Sequence, residues 1–454
     1  MTPTAPMSPD HSAAAPSAEA AGAARRNAVA YPLAVLLAGV AGGVSGVSLA
    51  LLLHAIQHLA YGYSLTMLVG GETFLDGVTG AAPQRRLEVL AAAGAVAGVG
   101  WWAVYRFGRK LVPISAAVAD PGKVMPAGAT LGHVLLQIVT VAMGSTLGRE
   151  VAPRELAALL VGRVARLLRL SREEMRIVIA CGAGAGLAAV YNVPLGGTIF
   201  VLEVLLGSFA LSVAVPAMVS CVIAACIAWV GIGDIYQYSL ARIGISGSLL
   251  AWAAVAGPVF GLGGWLFARL TQRARAAAPR DARIIPFCLA VFAGIGVLAM
   301  TFPALPGNGK GPIQLGLEGD LGLRLAATLL VLKVLATTAC LRAGAEGGLL
   351  TPGMSIGALT GVLLGMAWSH LWPSPVEQGA FALVGAVAFL AVSQRMPITA
   401  ITLGFEFTGA DHDFAVPMLI AVGLASATAR LCESRAARPA CIAAMSQDHR
   451  PDGT

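Results

Sequence analysis

The chain reads as an all-α, polytopic membrane protein, and three observations predict it. Of its 454 residues, 57% are hydrophobic and 12% charged, against roughly 25% charged in soluble domains. The apolar residues fall in many successive runs rather than one anchor. The 55 glycines, beside modest Trp, Tyr and Phe, suit helices packed closely through small residues.

In chain order, residues 1–28 are rich in Ala, Pro and Ser and lack the apolar centre of a signal peptide. A disordered cytoplasmic tail is expected there. A first span is expected near 31–56 and a second near 87–107, ending beside Arg106. Shorter pieces follow near 128–147, 153–168, 175–190, 194–206 and 209–232. A second set covers 248–270, 284–303, 321–341, 352–372, 378–393, 397–408 and 414–432. Several are shorter than the ~20 residues a crossing helix needs. Half-crossing helices are tolerated only where their ends are buried in protein or face a cavity. An ion path through the protein supplies such a cavity. The expected organisation is a first half at 29–270, a basic linker at 271–284, a second half at 285–446 and a tail at 447–454.

The net charge of +7 comes from Arg residues clustered beside the spans: 163–176, 273–283 and 430–438, with Arg25 and Arg26 near the start. By the positive-inside rule these mark the cytoplasmic face and put both termini there, in a cell inner membrane; they do not signal nucleic-acid binding. The seven Cys show no CxxC spacing and read as small buried residues. No Ser/His/Asp set, HExxH or metal cluster supports an enzyme, and no cofactor is expected. His133 and His370 are isolated, and neither reads as a ligand. Gly182, Gly184 and Gly186 read as helix-packing glycines, since a GxGxG run without a preceding strand is weak evidence for a phosphate cradle.

The two halves echo each other. Gly148-Arg149-Glu150-Val151-Ala152-Pro153 returns as Gly347-Gly348-Leu349-Leu350-Thr351-Pro352, and each Pro is followed nine residues on by Gly (Gly162, Gly361). Pro113 matches Pro312 at the same shift of 199 residues. Pro194…Glu203 matches Pro397…Glu406 at a shift of 203, with Glu nine residues after Pro in both. Ordered matches at a near-constant shift argue for a duplicated unit.

Pro153 and Pro352 each predict a helix start with Pro at its first position. Free N–H groups there, with the positive dipole end, form an anion site without a full charge. Such a site binds weakly enough to release, as conduction requires. Glu150, beside it, would compete with the anion, and protonating or swinging it would open the path. The alternative for Glu150 is a loop acid paired with Arg149 or Arg154. Glu203 and Glu406 read as structural acids bonded to free N–H groups or Arg.

These segments, with Gly144–Glu150, Ala180–Gly197 and Gly307-Asn308-Gly309, resemble the CLC family of chloride channels and chloride/proton antiporters, over roughly residues 105–445. The resemblance implies a homodimer with one pore per subunit, each subunit two inverted repeats of tilted and half-crossing helices. It implies that Glu150 gates the pore. It also implies that backbone at Gly148, Arg149 and Val151, with Leu349, Leu350 and Thr351, coordinates the anion. Chloride is the expected substrate, and protons a second one in the antiporters.

The departures from the family pattern are specific. The family's Gly-Ser-Gly-Ile-Pro corresponds to Arg109-Lys110-Leu111-Val112-Pro113, so Lys110 replaces the anion-coordinating serine. Lys110 is either a boundary charge that snorkels to water or a positive charge that draws anions to the inner pore mouth. Gly-Pro after the gating glutamate becomes Val151-Ala152-Pro153. The antiporters' internal proton-transfer glutamate becomes Val204, and the pore tyrosine falls at Cys441. No paired regulatory CBS domains are expected in this bacterial-type member. The expected function is channel-like or weakly proton-coupled anion transport. One alternative is an antiporter with another inner proton carrier, Glu155 being the nearest acid. Another is a transporter for a different anion such as fluoride.

Overall fold

The computed structural model describes residues 18–63, 73–240, 244–372 and 376–447, with side chains described from Val29 to Ala436. Its first helices are α1 (Ala18–Tyr61), α2 (Phe74–Gly80), α3 (Pro83–Phe107), α4 (Ile114–Ala119), α5 (Ala127–Ala142) and α6 (Val151–Leu167). Then come α7 (Arg172–Tyr191), α8 (Pro194–Phe200, continued by a π-helical turn Val201–Leu206) and α9 (Leu211–Ile232). The second series is α10 (Gly247–Ala276), α11 (Ile284–Thr301), α12 (Lys310–Glu318), α13 (Leu323–Ala343) and α14 (Leu350–Leu371). It ends with α15 (Gln378–Ser393), α16 (Pro397–Thr408) and α17 (Ala415–Gln447). Among the described residues, nine helices are long and apolar enough to cross a membrane. The short helices α2, α4 and α12 were not expected, being too short to show a periodic pattern.

Local chemistry sets the boundaries. Ser171 and Glu174 form a capping box that starts α7, and Asn192, in the left-handed region at φ 56°, ends it. Pro83, Pro194 and Pro397 stand in the first turns of α3, α8 and α16, where the missing N–H has no partner to lose.

The packing repeats with the sequence. α1 packs on α7 and α9, as α10 packs on α15 and α17; α6 packs on α7, as α14 packs on α15. Helices α7 and α15 are buried all round, which places one apolar helix behind each of α6 and α14. Gly182, Gly184 and Gly186 serve that packing. A Cβ on Gly186 would press the Pro153 carbonyl of α6 at 2.5 Å, and one on Gly182 would press Val161 at 2.8 Å.

Two expectations shift. Residues 271–276 are the last turns of α10 rather than linker, and the packing groups α10 with the second series. Of the expected tail 1–28, residues 1–17 lie outside the described residues, and α1 begins at Ala18.

Candidate functional site

Two helix starts converge from opposite halves. Val151 opens α6 and Leu350 opens α14. Pro153 and Pro352 therefore stand third in their helices rather than first. They are still within the first turn, where N–H groups lack intrahelical partners and are left for other acceptors.

The loops leading into these helices run antiparallel. Gly148 N–H donates to the Gly348 carbonyl at 2.7 Å, and Gly348 N–H to the Gly148 carbonyl at 2.9 Å. This two-way exchange is what a two-fold relation between the halves produces. A side chain at either glycine would run into the Glu150 carboxylate. A second brace holds the first loop. Gly307 N–H donates to the Gly144 carbonyl at 2.9 Å, and fully buried Lys333 donates to the carbonyls of Leu305 (3.0 Å) and Gly307 (2.5 Å). The Gly307-Asn308-Gly309 motif thus carries the second half's grip on the first-half loop.

Glu150 is 1% exposed. Its Oε1 accepts from the Leu350 N–H at 2.9 Å, and its Oε2 accepts from the Tyr191 hydroxyl at 3.2 Å. Tyr191 Oη and Thr351 Oγ1 are 2.9 Å apart. With the tyrosine proton committed to Glu150, Thr351 donates in that contact. The carboxylate therefore occupies an amide-and-hydroxyl site at the start of α14, one that suits any acceptor-only anion.

Cavities lie on both sides of it. One of about 150 Å³ is lined by Arg149, Tyr191, Tyr238, Asn308, Lys310 and Thr351, among others. Another of about 170 Å³ is lined by Glu150, Val151, Arg154, Val204, Arg275 and the 347–350 backbone. Arg275, Leu349 and Gln394 also line a wider cavity of about 880 Å³, with Arg269, Arg280 and Arg430. Glu150 lines the second cavity and bonds Tyr191, which lines the first, and the second adjoins the Arg-lined one through Arg275, Leu349 and Gln394.

Gly148, Arg149, Glu150, Val151, Leu349, Leu350 and Thr351 are therefore brought together. Lys110 is exposed and lines none of these cavities, which favours the boundary-charge alternative. Cys441 falls in α17 beyond the described side chains. Arg149 and Arg154 form no ion pair with Glu150 among the described residues; Arg149 lies over the Tyr191 ring, 5.3 Å from its centroid. Glu203 accepts from the N–H groups of Ile398 (3.0 Å) and Thr399 (2.8 Å), and Glu406 from those of Leu195 (2.8 Å) and Gly196 (2.5 Å). Each acid caps a helix start of the other half.

Sequence reasoning missed Tyr191 and Glu346, named Arg154 only as a possible partner of Glu150, and placed Arg275 only in a basic cluster. Tyr191 lies in a segment quoted for its glycines, 41 residues from Glu150. Arg275 is exposed, as its basic segment suggested, and it also pairs with Glu346 at 3.1 Å and donates to the Gly347 carbonyl at 3.0 Å. His133 and Glu155 also meet inside the protein. His133 Nε2 is 3.7 Å from Glu155 Oε2, Gln137 donates to the same oxygen at 3.1 Å, and Trp101 donates to His133 Nδ1 at 3.0 Å.

Known proteins of similar sequence and fold are readily found. The family model described as "Voltage gated chloride channel" matches residues 91–430. A ClcB-like protein of Ralstonia nicotianae is 32% identical over 353 residues, covering 74% of this chain and 80% of that protein. The voltage-gated ClC-type chloride channel ClcB of Salmonella typhimurium is 30% identical over 407 residues, covering 87% and 95%. A slow cyanobacterial Cl⁻/H⁺ antiporter shares the fold with a TM-score of 0.74 at 21% identity, covering 90% of this chain and 95% of the antiporter. A CLC-type fluoride/proton antiporter does so with a TM-score of 0.60 at 19% identity, covering 89% and 95%. From the family match and the identity to these relatives, the chain belongs to the voltage-gated chloride channel (CLC) family.

Proposed function

We propose that this protein carries small anions, chloride among them, across a bacterial inner membrane along a path closed by Glu150. The observation that carries this is the Glu150 carboxylate seated on the Leu350 amide between two cavities. Val204 stands where the antiporters' internal proton-transfer glutamate is expected, so transport is channel-like or weakly proton-coupled. Reversal potentials under opposed chloride and proton gradients test this. Potentials that track chloride, with at most a small proton contribution, support it, and tight exchange of protons for chloride at a fixed ratio overturns it.

The second outcome has its own support. The buried contact of Glu155 with His133 and Gln137 puts an ionisable pair inside the membrane domain, where such groups are costly and commonly serve ion or proton paths. The Trp101 donor holds His133 Nδ1 as an acceptor, which leaves a neutral ring's proton on Nε2, facing Glu155. If exchange is observed, Glu155→Gln should abolish proton movement while chloride flux persists; proton movement that survives this change rules the pair out.

Lys110 is expected to serve orientation rather than binding. Lys110→Met should leave chloride affinity by calorimetry within about twofold, as for an exposed, screened charge. An impermeant amine reagent should label Lys110 from the cytoplasmic side, where the Arg clusters also place both termini. A homodimer is proposed across the face where Leu195 and Ile398 stand exposed beside the crossed glutamate caps. Single-step photobleaching of labelled protein in liposomes would remove it.

A further inference from the structure

Two loops meet at the gate, and each is held by a different cation. The first-half loop is braced through Gly307 by Lys333, which is fully buried. The second-half loop, residues 344–349, leads straight into Leu350, whose amide holds Glu150. It leaves α13 through Gly344, in the left-handed region at φ 103°, and pairs with the first-half loop at Gly348. A Cβ on Gly347 would meet the Leu147 Cβ at 2.7 Å, so the two loops lie against each other there as well. Between these points Arg275 reaches over from the last turn of α10. Its Nε is 3.1 Å from Glu346 Oε2, and its Nη2 donates to the Gly347 carbonyl at 3.0 Å. Among the described residues, no other side chain bonds this loop. A guanidinium offers its donors in a fixed fork, so one side chain fixes both the side chain at 346 and the backbone at 347.

We propose that Arg275 and Glu346 are positioning residues for the gate: their ion pair holds the 344–349 loop so that the Leu350 amide meets Glu150, and its loss unseats the carboxylate. The inference rests on the gating role proposed above for Glu150 and adds two residues that do not bond it. A hydrogen bond weakens steeply as it bends, so the grip on Glu150 depends on where the loop places the Leu350 N–H. Gly347 stands three residues before that amide and next to Gly348, whose exchange with Gly148 ties the loops together. The pair is also the accessible one of the two supports. The Arg275 side chain is 43% exposed and that of Glu346 23%, and Arg275 lines the wide cavity, whereas Lys333 is sealed. The second-half loop is therefore the support that solvent can weaken.

The test is a mutant cycle read as chloride flux in liposomes. Arg275→Gln and Glu346→Gln should each raise flux about two- to fivefold, the size expected when a partly exposed ion pair is lost. Combining them should add little to either change alone, since both remove one interaction. Exchanging the charges, Arg275→Glu with Glu346→Arg, should bring flux back toward the wild-type level. In a Glu150→Ala background both single changes should leave flux as it is, because no carboxylate remains to be unseated. Thermal unfolding is followed in every variant; a merely structural pair would lower Tm without any dependence of flux on Glu150. If Arg275→Gln does not fold, Glu346→Gln, which keeps shape and volume, reads the same support. Wild-type flux in the single variants, or a rise that persists with Glu150→Ala, overturns the proposal. If Glu150→Ala raises flux while Arg275 and Glu346 leave it alone, only this inference fails; if Glu150→Ala leaves flux unchanged, the gate itself fails.

Discussion

Replacing Glu150 with Ala should raise chloride flux through liposomes by roughly ten- to hundredfold. The closed arrangement is held by a charge-assisted bond from the Leu350 N–H and a bond from Tyr191. A hydrogen bond to a charged group contributes about 1.5–3 kcal/mol, and each 1.4 kcal/mol is tenfold in an equilibrium. Glu150→Ala removes both the charge and the bulk, so the amide site is open to solution anions. Glu150→Gln removes only the charge; its side-chain oxygen can still accept from Leu350. The order of flux should therefore be Ala above Gln above wild type. Both changes should flatten the pH response, because a group that could be protonated to open the path is gone. Unchanged flux in Glu150→Ala would assign the carboxylate to bracing the Gly148–Gly348 bridge instead.

The all-α membrane fold, the duplicated unit and the paired site were legible in the sequence because each leaves a local trace. Low charge, repeated Gly-x4-Pro frames and Glu at a fixed distance from Pro all survive as linear patterns. What was not legible depends on through-space partners. Tyr191 reaches Glu150 only after α7 packs behind α6. Arg275 belonged to a basic segment whose composition says surface; it is exposed, and the end of α10 also turns it onto the 346–347 loop. Lys333 sat unremarked in an apolar run, and its role appears only in the carbonyls it holds. Lys110 shows the converse. A position matched by motif order alone carried a plausible charge, but it stands exposed and lines none of the three cavities around the site.

The crossed glutamate caps should dominate stability, and their symmetry makes the expectation quantitative. Each carboxylate accepts two backbone N–H groups at a Pro-started helix of the other half: Glu203 at α16 and Glu406 at α8. These N–H groups have no intrahelical partner, and the carboxylates also complement the positive dipole ends. A buried donor left unsatisfied costs about 1–3 kcal/mol; only one donor at each cap, on Gly196 or Thr399, is part-buried, so either Glu→Ala change should destabilise by about 1–3 kcal/mol. Glu203 receives in addition the Thr399 hydroxyl at 2.6 Å, so Glu203→Ala should cost about 1 kcal/mol more than Glu406→Ala. Glu→Gln offers one acceptor oxygen where two are needed, and should cost about half as much at each site. Thermal unfolding in detergent, followed by tryptophan fluorescence, measures all four variants. The caps lie on the face proposed for the dimer contact, so subunit count by photobleaching should fall with stability in the Ala variants. Full stability in Glu203→Gln, together with loss of any proton coupling, would instead make Glu203 a proton carrier beside Val204.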